Sequence, residues 1–266
     1  MANLYEVQGL RLSLPDMTRK PLLRAAPPIE ILKGIDFTIP KGAVMGIVGG
    51  SGSGKSTLGR VLVRLLEPTS GKVLFDGTDI SNLTEAALRP FRRRFQMIFQ
   101  DPMSSLNPRH RVRNIIGAPL RLHGFDDVSG RTARALSHVG LPRDFADRYP
   151  HELSGGQRQR VGIARAIALE PDFILADEIV SGLDVSSQAQ VLNLLEQLVR
   201  DLGLTLAFIS HDLSVIRRLC ARVLVLHQGV IVEDRATAAL FEAPDADYTR
   251  ALLAAIPLPD PDQLWL

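Results

Sequence analysis

A nine-residue glycine-rich segment, GGSGSGKST at residues 49–57, constrains the fold of this chain more than any other feature. The apolar run AVMGIVGG leads into it and is typical of a strand buried on both faces, while the spacing of TLGRVLVRLLE after it predicts a helix. Glycines let consecutive backbone N–H groups turn inward around an anion, and the start of a helix adds positive potential. The segment therefore predicts a phosphate-binding loop between a strand and a helix, formed by Gly49, Gly50, Ser51, Gly52, Ser53, Gly54, Lys55, Ser56 and Thr57.

Side chains suited to a site for phosphate and magnesium occur at two places in the chain. Lys55 supplies a positive charge for the β and γ phosphates, and Ser56 supplies a hydroxyl for Mg²⁺. Asp177 ends the apolar run Phe173–Ala176, where a strand of the same sheet would bring its carboxylate beside the loop. Glu178 comes next, and both carboxylates can serve only if the strand ends there, with Glu178 facing the water that attacks the γ-phosphate. The alternative is a solvated Asp–Glu pair at the end of a strand.

Composition excludes some functional classes, although the bulk charge leaves local basic patches possible. The 266 residues carry 31 Lys+Arg against 29 Asp+Glu, a formal net charge of +2, which lacks the basic excess that makes nucleic acid the default partner. No stretch reaches the ~18 apolar residues of a membrane helix, and MANLYEVQGL lacks the apolar run of a signal peptide, so we expect a cytoplasmic protein. The single cysteine, Cys220, excludes an internal disulfide and a multi-cysteine metal cluster.

Segments typical of strands and of helices alternate along the chain. YEVQGLRLSL and ILKGIDFTIP predict two strands separated by a basic loop at residues 20–28, and GKVLFDGTDI predicts a hairpin turning at Asp76–Gly77. Prolines break residues 101–150 into short helical pieces. Further on, strands and helices alternate, and a second hairpin turning at Gln228–Gly229 precedes two helical segments. The pattern predicts an α/β fold with a mainly parallel sheet flanked by helices.

Residues 153–157 read LSGGQ, which is identical to the signature sequence of ATP-binding-cassette (ABC) ATPases, and the chain resembles that family over nearly its whole length. A serine and two glycines ahead of a helix expected to begin near Gln157 predict a second anion-binding helix terminus. The resemblance implies that Ser154, Gly155, Gly156 and Gln157 serve the ATP of a partner subunit.

The resemblance also implies a role for Gln100, which ends the predicted strand QMIFQ. It resembles the family's Q-loop glutamine, which senses magnesium and the attacking water and transmits closure to a membrane partner. The expected cofactors are then ATP and Mg²⁺, and the expected metal-site residues are Ser56, Gln100 and Asp177.

Two further positions match family motifs. Asp184 in SGLD resembles the D-loop, and His211 after LAFIS resembles the switch histidine near the γ-phosphate, so the expected catalytic residues are Glu178, His211 and Gln100. The chain departs from the family at residues 179–180, where Ile-Val replaces the usual Pro-Thr, and at Gly182, where alanine is usual.

The family fold implies a P-loop NTPase core with an N-terminal antiparallel β subdomain and an inserted α-helical subdomain. We expect residues 1–100 to form the first part of the core with the β subdomain, and residues 101–156 to form the helical signature subdomain. Residues 157–240 then complete the core, and residues 241–266 form a C-terminal extension.

Two segments resemble a narrower group, the importers of peptides and nickel: FQDPMSSLNPR at 99–109 and YTRALLAAIPLPDP at 248–261. The resemblance is closest to the second of that group's two ATPases. It implies a heterodimer with a homologous ATPase subunit, and a homodimer stays open as the alternative. It also implies two membrane permease subunits, an indirect solute-binding protein and a place on the cytoplasmic face of the membrane. It implies no nucleic-acid partner. The alternative is a soluble cassette ATPase acting on DNA or ribosomes. The transported solute stays open between peptide, nickel and another small molecule.

Most cassettes stack the adenine on an aromatic residue in or just after the first strand. The matching stretch, RLSLP at 11–15, contains no aromatic residue, and Tyr5 lies several positions too early. We therefore expect Leu14 or Ile31 to cover the base through apolar contact.

Overall fold

The computed structural model describes residues 2–16, 26–101 and 105–255, and it contains two sheets with helices around the larger one. The basic loop predicted at residues 20–28 lies largely outside the described residues, as do parts of the two segments that resemble peptide and nickel importers. The predicted α/β fold with a mainly parallel sheet and an N-terminal antiparallel sheet is confirmed.

The antiparallel sheet has the strand order β2-β1-β4-β5. Its strands are β1 (Asn3–Pro15), β2 (Pro28–Pro40), β4 (Ser70–Phe75) and β5 (Thr78–Asp79). Alternating apolar side chains face inward, and Tyr5, Leu10, Ile35 and Phe75 are almost completely buried. The predicted hairpin turns at Asp76 and Gly77, with φ of 50° and 77°, because a two-residue turn of this kind needs positive φ at both positions.

The larger sheet has the order β10-β9-β3-β8-β7-β6. Its strands are β3 (Val44–Val48), β6 (Phe95–Ile98), β7 (Phe173–Asp177), β8 (Thr205–Ile209), β9 (Arg222–His227) and β10 (Val230–Ala236). All neighbours pair in parallel except β9 and β10, which form the second predicted hairpin. The carboxyl ends of the five parallel strands therefore meet at one edge of the sheet, where ligands bind in folds of this type.

A helical lobe interrupts the core between β6 and β7. It contains α3 (Val112–Leu122) and α4 (Val128–His138), followed by short 3₁₀ helices at Arg143–Asp147 and Pro150–Glu152. Helix α5 (Gly155–Ile167) joins the lobe to the sheet, and its buried Val161 belongs to the same apolar cluster as Ile116 and Leu136.

The remaining helices are α1 (Lys55–Leu62), α2 (Glu85–Arg92), α6 (Val185–Leu202), α7 (Leu213–Leu219), α8 (Thr237–Glu242) and α9 (Asp247–Ala254). The sequence determines both ends of helix α6. At its start Asp184 accepts a hydrogen bond from the Ser187 N–H, and at its end Gly203 adopts a φ of 63°. Every helix in the described part of the chain is too short or too polar to span a bilayer.

Candidate active site

The phosphate loop leaves β3 and enters α1, as the glycine pattern predicts. Gly49, Gly52 and Gly54 have φ of 149°, 73° and 104°, a region that side chains with a Cβ disfavour. At Gly49 the requirement is also steric, because a Cβ there would lie 2.1 Å from the carbonyl oxygen of Leu226 at the end of β9. The loop is therefore pressed against the edge of the sheet.

The side chains of Lys55 and Ser53 make this loop suitable for binding an anion. The Lys55 Nζ donates to the carbonyl oxygens of Gly49 and Gly50 at 2.8 and 3.0 Å, and burial lowers the pKa of its ammonium group. The buried Ser53 hydroxyl has no hydrogen-bond partner among the described residues. Gly52 has open space around the position of a Cβ. The predicted Ser51 is exposed in the loop, and Thr57 lies in the first turn of α1. A cradle with an unpaired donor and a buried cation suits the phosphates of a nucleotide.

Ser56 and Asp177 form a pair of oxygen donors beside the loop. The Ser56 Oγ donates to Asp177 Oδ1 at 3.1 Å, and burial raises the pKa of the Asp177 carboxyl. The described residues hold no cluster of three or more His, Cys, Asp or Glu side chains suited to a metal. One carboxylate and one hydroxyl fit Mg²⁺, which takes its remaining oxygens from phosphates and water. The third residue predicted for this metal site, Gln100, directs its amide to Glu178 instead of to this pair.

Glu178 lies directly after the end of β7, and this is the position that the sequence requires if the carboxylates of Asp177 and Glu178 are both to serve the site. Its φ of 49° turns the chain immediately after β7, while its N–H still donates to the Ile209 carbonyl at 2.9 Å. Gln100 Nε2 donates to Glu178 Oε2 at 3.1 Å, and His211 Nδ1 lies 3.4 Å from Glu178 Oε1. The ends of β6, β7 and β8 thus bring the three predicted catalytic residues together around one carboxylate.

The signature residues form a separate helix terminus. Helix α5 begins at Gly155, two residues before the position expected, because Ser154 caps it. The Gln157 N–H donates to Ser154 Oγ at 3.3 Å, and the Ser154 N–H donates to Gln157 Oε1 at 2.9 Å. No hydrogen bond in the described part of the chain links residues 154–157 to the phosphate loop.

The segment predicted to form the D-loop lies next to that helix terminus. A Cβ at Gly156 would lie 3.4 Å from the Ser187 hydroxyl, and Asp184 accepts hydrogen bonds from both the N–H and the hydroxyl of Ser187. Gly182, one of the departures from the family pattern, has φ 78°, a conformation that glycine adopts more readily than the usual alanine.

Two residues at the phosphate loop are missing from the sequence predictions. The Tyr248 hydroxyl accepts a hydrogen bond from the Gly50 N–H at 2.7 Å, and its ring packs on His227 with centroids 3.8 Å apart. His227 ends β9, so the rule that parallel strands deliver residues to one edge could have identified it. No local pattern identifies Tyr248, because 198 positions separate it from Gly50.

Comparisons with known proteins agree with this geometry. The family model described as "ABC transporter" matches residues 32–181. A putative peptide import ATP-binding protein of Brucella ovis is 53% identical over 237 residues, which cover 88% of this chain and 75% of the relative. The oligopeptide transport ATP-binding protein AppF of Bacillus subtilis is 50% identical over 86% of this chain and 71% of its own length.

Solved structures also match. CbiO1 from Clostridium perfringens, described as part of the ABC transporter complex cbiONQ, has a TM-score of 0.79 and 27% identity over 91% of this chain and 92% of its own. The ATP-binding cassette MJ0796, a dimer bound to ADP and Pi, has a TM-score of 0.75 and 29% identity over 88% of this chain and 98% of its own. The predicted resemblance to ABC ATPases is therefore confirmed, and the chain belongs to the ABC transporter family.

Proposed function

We propose that this chain is the ATP-hydrolysing subunit of an ABC importer that takes up peptides through partner membrane subunits. The observation that supports this most is the position of Glu178, held by Gln100 and His211 next to the Ser56–Asp177 pair. The Brucella ovis and Bacillus subtilis relatives are named for peptide import and oligopeptide transport, which favours a peptide over nickel as the solute. These names also favour transport over the alternative of a soluble cassette acting on DNA or ribosomes.

The proposed reaction is attack of water on the γ-phosphorus of ATP. Glu178 takes a proton from the water as the new P–O bond forms, and the bond to the ADP oxygen breaks. Gln100 and His211 orient the Glu178 carboxylate, and Lys55 leaves the carbonyls of the loop to neutralise the β and γ phosphates. Mg²⁺, held by Ser56 and Asp177, would supply further neutralisation of the same charge.

We propose that Leu14 or Ile31 covers the adenine. Tyr5 is unsuited, because its buried hydroxyl donates to the Leu62 carbonyl at 3.1 Å and its ring packs edge-on against Phe75 and Phe173. Ile31, in contrast, lies beside the phosphate loop: a Cβ at Gly54 would be 3.4 Å from its carbonyl oxygen.

Apolar cover without a polar reader of the base edge gives little discrimination between purines. We expect the dissociation constant for GTP to lie within about tenfold of that for ATP, since a tenfold preference corresponds to about 1.4 kcal/mol. Calorimetry with both nucleotides on the purified chain measures this. A preference for ATP beyond about a hundredfold would contradict apolar cover of the base.

The second part of the proposal concerns the membrane subunits. A groove of about 550 Å³ runs between α2, the end of β6 and the helical lobe, and three large exposed apolar side chains line it: Leu65, Phe99 and Leu122. Arg165 from α5 fixes one wall by donating to the Ser105 carbonyl at 2.6 Å. We assign this groove to an apolar segment of a membrane subunit, and Phe99 connects it to the active site because the next residue is Gln100.

Leu122→Asp tests the groove, because it places a charge where an apolar partner segment would bury it. We expect ATP hydrolysis of the subunit alone to be unchanged, and its binding to detergent-solubilised membrane subunits to weaken at least about tenfold. Leu202→Asp is the matched control, since Leu202 is also an exposed leucine at the last position of a helix. Equal binding by the Leu122 variant and the wild type would refute the assignment of the groove.

We propose that the working ATPase is a dimer with a homologous subunit. Each chain has a phosphate loop with its carboxylates and, separate from it, a signature helix terminus. In a dimer, the phosphate loop of each chain would face the signature terminus of the other, which gives two ATP sites shared between the chains. The dimeric cassette MJ0796 bound to ADP and Pi shows that a related chain assembles in pairs. The heterodimer in this proposal rests on the sequence resemblance to the second ATPase of its group.

A further inference from the structure

Helix α9, the last helix that the structure describes, contacts the phosphate loop through Tyr248, a residue that has no role in the proposed function. The Tyr248 hydroxyl accepts a hydrogen bond from the Gly50 N–H at 2.7 Å. A Cβ at Gly50 would lie 2.9 Å from that hydroxyl, so a larger residue at position 50 would displace it. The contact therefore depends on glycine at position 50 as well as on the tyrosine.

Tyr248 is held in place by its surroundings. Its ring packs on His227 at the end of β9, with an interplanar angle of 35°. The start of α9 is anchored by Glu233, whose carboxylate accepts hydrogen bonds from the N–H groups of Asp245 and Ala246 at 3.0 and 3.2 Å. Burial raises the pKa of Glu233, but hydrogen bonds to its carboxylate outweigh burial and hold that pKa below its ordinary value. The anchor is thus an ionised group at neutral pH.

The hydrogen bond from Gly50 to Tyr248 differs from the other bonds that hold this part of the loop. The Gly49 carbonyl oxygen, which shares a peptide unit with the Gly50 N–H, accepts from Lys55 Nζ at 2.8 Å. The next carbonyl oxygen, that of Gly50, accepts from Lys55 Nζ at 3.0 Å and from the Ser53 N–H at 3.3 Å. In the proposed reaction Lys55 turns to the phosphates, which removes both of its bonds at the moment when the loop must keep its shape. The bond to Tyr248 does not involve Lys55 and can persist.

We infer that Tyr248 is a positioning residue for the phosphate loop. It holds the first peptide of the loop so that the N–H groups of the following residues stay directed toward the β-phosphate. The inference deepens the proposed function and rests on it for the identity of the ligand. It assigns a role to α9, through a contact with the backbone of the loop.

The test compares ADP with AMP, because only ADP carries the β-phosphate that the loop cradles. In calorimetry with Mg²⁺ on the full chain, we expect Tyr248→Phe to raise the dissociation constant for ADP by about threefold to tenfold, the range for one lost hydrogen bond, and to leave that for AMP unchanged. Gly50→Ala should have the same effect, and the double variant should bind ADP no more weakly than either single variant, because both changes remove one contact.

Tyr149→Phe is the matched control, since Tyr149 also stacks on a histidine, His151, but lies in the helical lobe. An unchanged affinity for ADP in Tyr248→Phe, an equal loss for AMP, or additive losses in the double variant would each overturn the inference. Failure of the wild-type chain to bind ADP would instead refute the proposed function. The two failures are therefore distinguishable.

Discussion

Glu178→Gln is expected to bind ATP with wild-type affinity and to lower the rate of hydrolysis by about 10²-fold or more, the scale of a lost general base. The amide keeps the size of the side chain and still offers an oxygen to Gln100, but it cannot accept the proton of the attacking water. ATP that is bound but not hydrolysed should also trap the closed dimer. Phosphate release measures the rate, and size-exclusion chromatography with ATP measures the dimer.

Glu170→Gln provides a matched control for this experiment. Glu170 is a second glutamate with positive φ, 54°, but it follows α5 and pairs with Arg131 on the surface. A general effect of losing a charge at such a position would slow both variants. Hydrolysis by Glu178→Gln at near the wild-type rate would remove Glu178 from the mechanism.

Lys55→Ala is expected to abolish measurable ATP binding. The buried ammonium group is the cation that the loop offers to the β and γ phosphates, and each hydrogen bond between charged groups contributes roughly 1.5–3 kcal/mol. Loss of two such bonds raises a dissociation constant by about 10²-fold to 10⁴-fold. Calorimetry with ATP tests this, with Lys72→Ala as the control because Lys72 is an exposed lysine in β4. Retained affinity in the Lys55 variant would contradict the role of the ammonium group.

The parts of the structure that depend on local chemistry were predictable from the sequence. Gly49, Gly52 and Gly54 adopt the positive φ values for which glycine is needed, so the pattern predicts the loop directly. The turn at Asp76–Gly77 follows from the same preference. Asp177 ends a fully buried strand, and this explains why a short apolar run followed by carboxylates predicts a site.

The start of α5 was also predictable, although the expected start near Gln157 lies two residues after the observed one at Gly155. Ser154 and Gln157 have the spacing of a capping box, which identifies Ser154 as the cap and Gly155 as the first helical residue.

Contacts between distant segments could not be predicted in this way. Gln100 and Glu178 are 78 positions apart, and Tyr248 and Gly50 are 198 apart. Their meeting depends on the strand order β9-β3-β8-β7-β6, which spacing along the chain does not encode. Tertiary packing also decides that the Gln100 amide faces Glu178 rather than the Ser56–Asp177 pair.

In the proposed dimer, the capping box at Ser154 has a consequence for the rate at which the two chains associate. Its reciprocal hydrogen bonds order the end of α5 within a single folded chain. The backbone N–H groups of the first helical turn, which lack acceptors inside a helix, are then already aligned before a second chain arrives. Binding of a partner's nucleotide at this terminus needs no folding of the segment, so little conformational entropy is lost during the encounter. Association at this surface should therefore proceed as docking of preformed parts, with its rate set by collision and orientation.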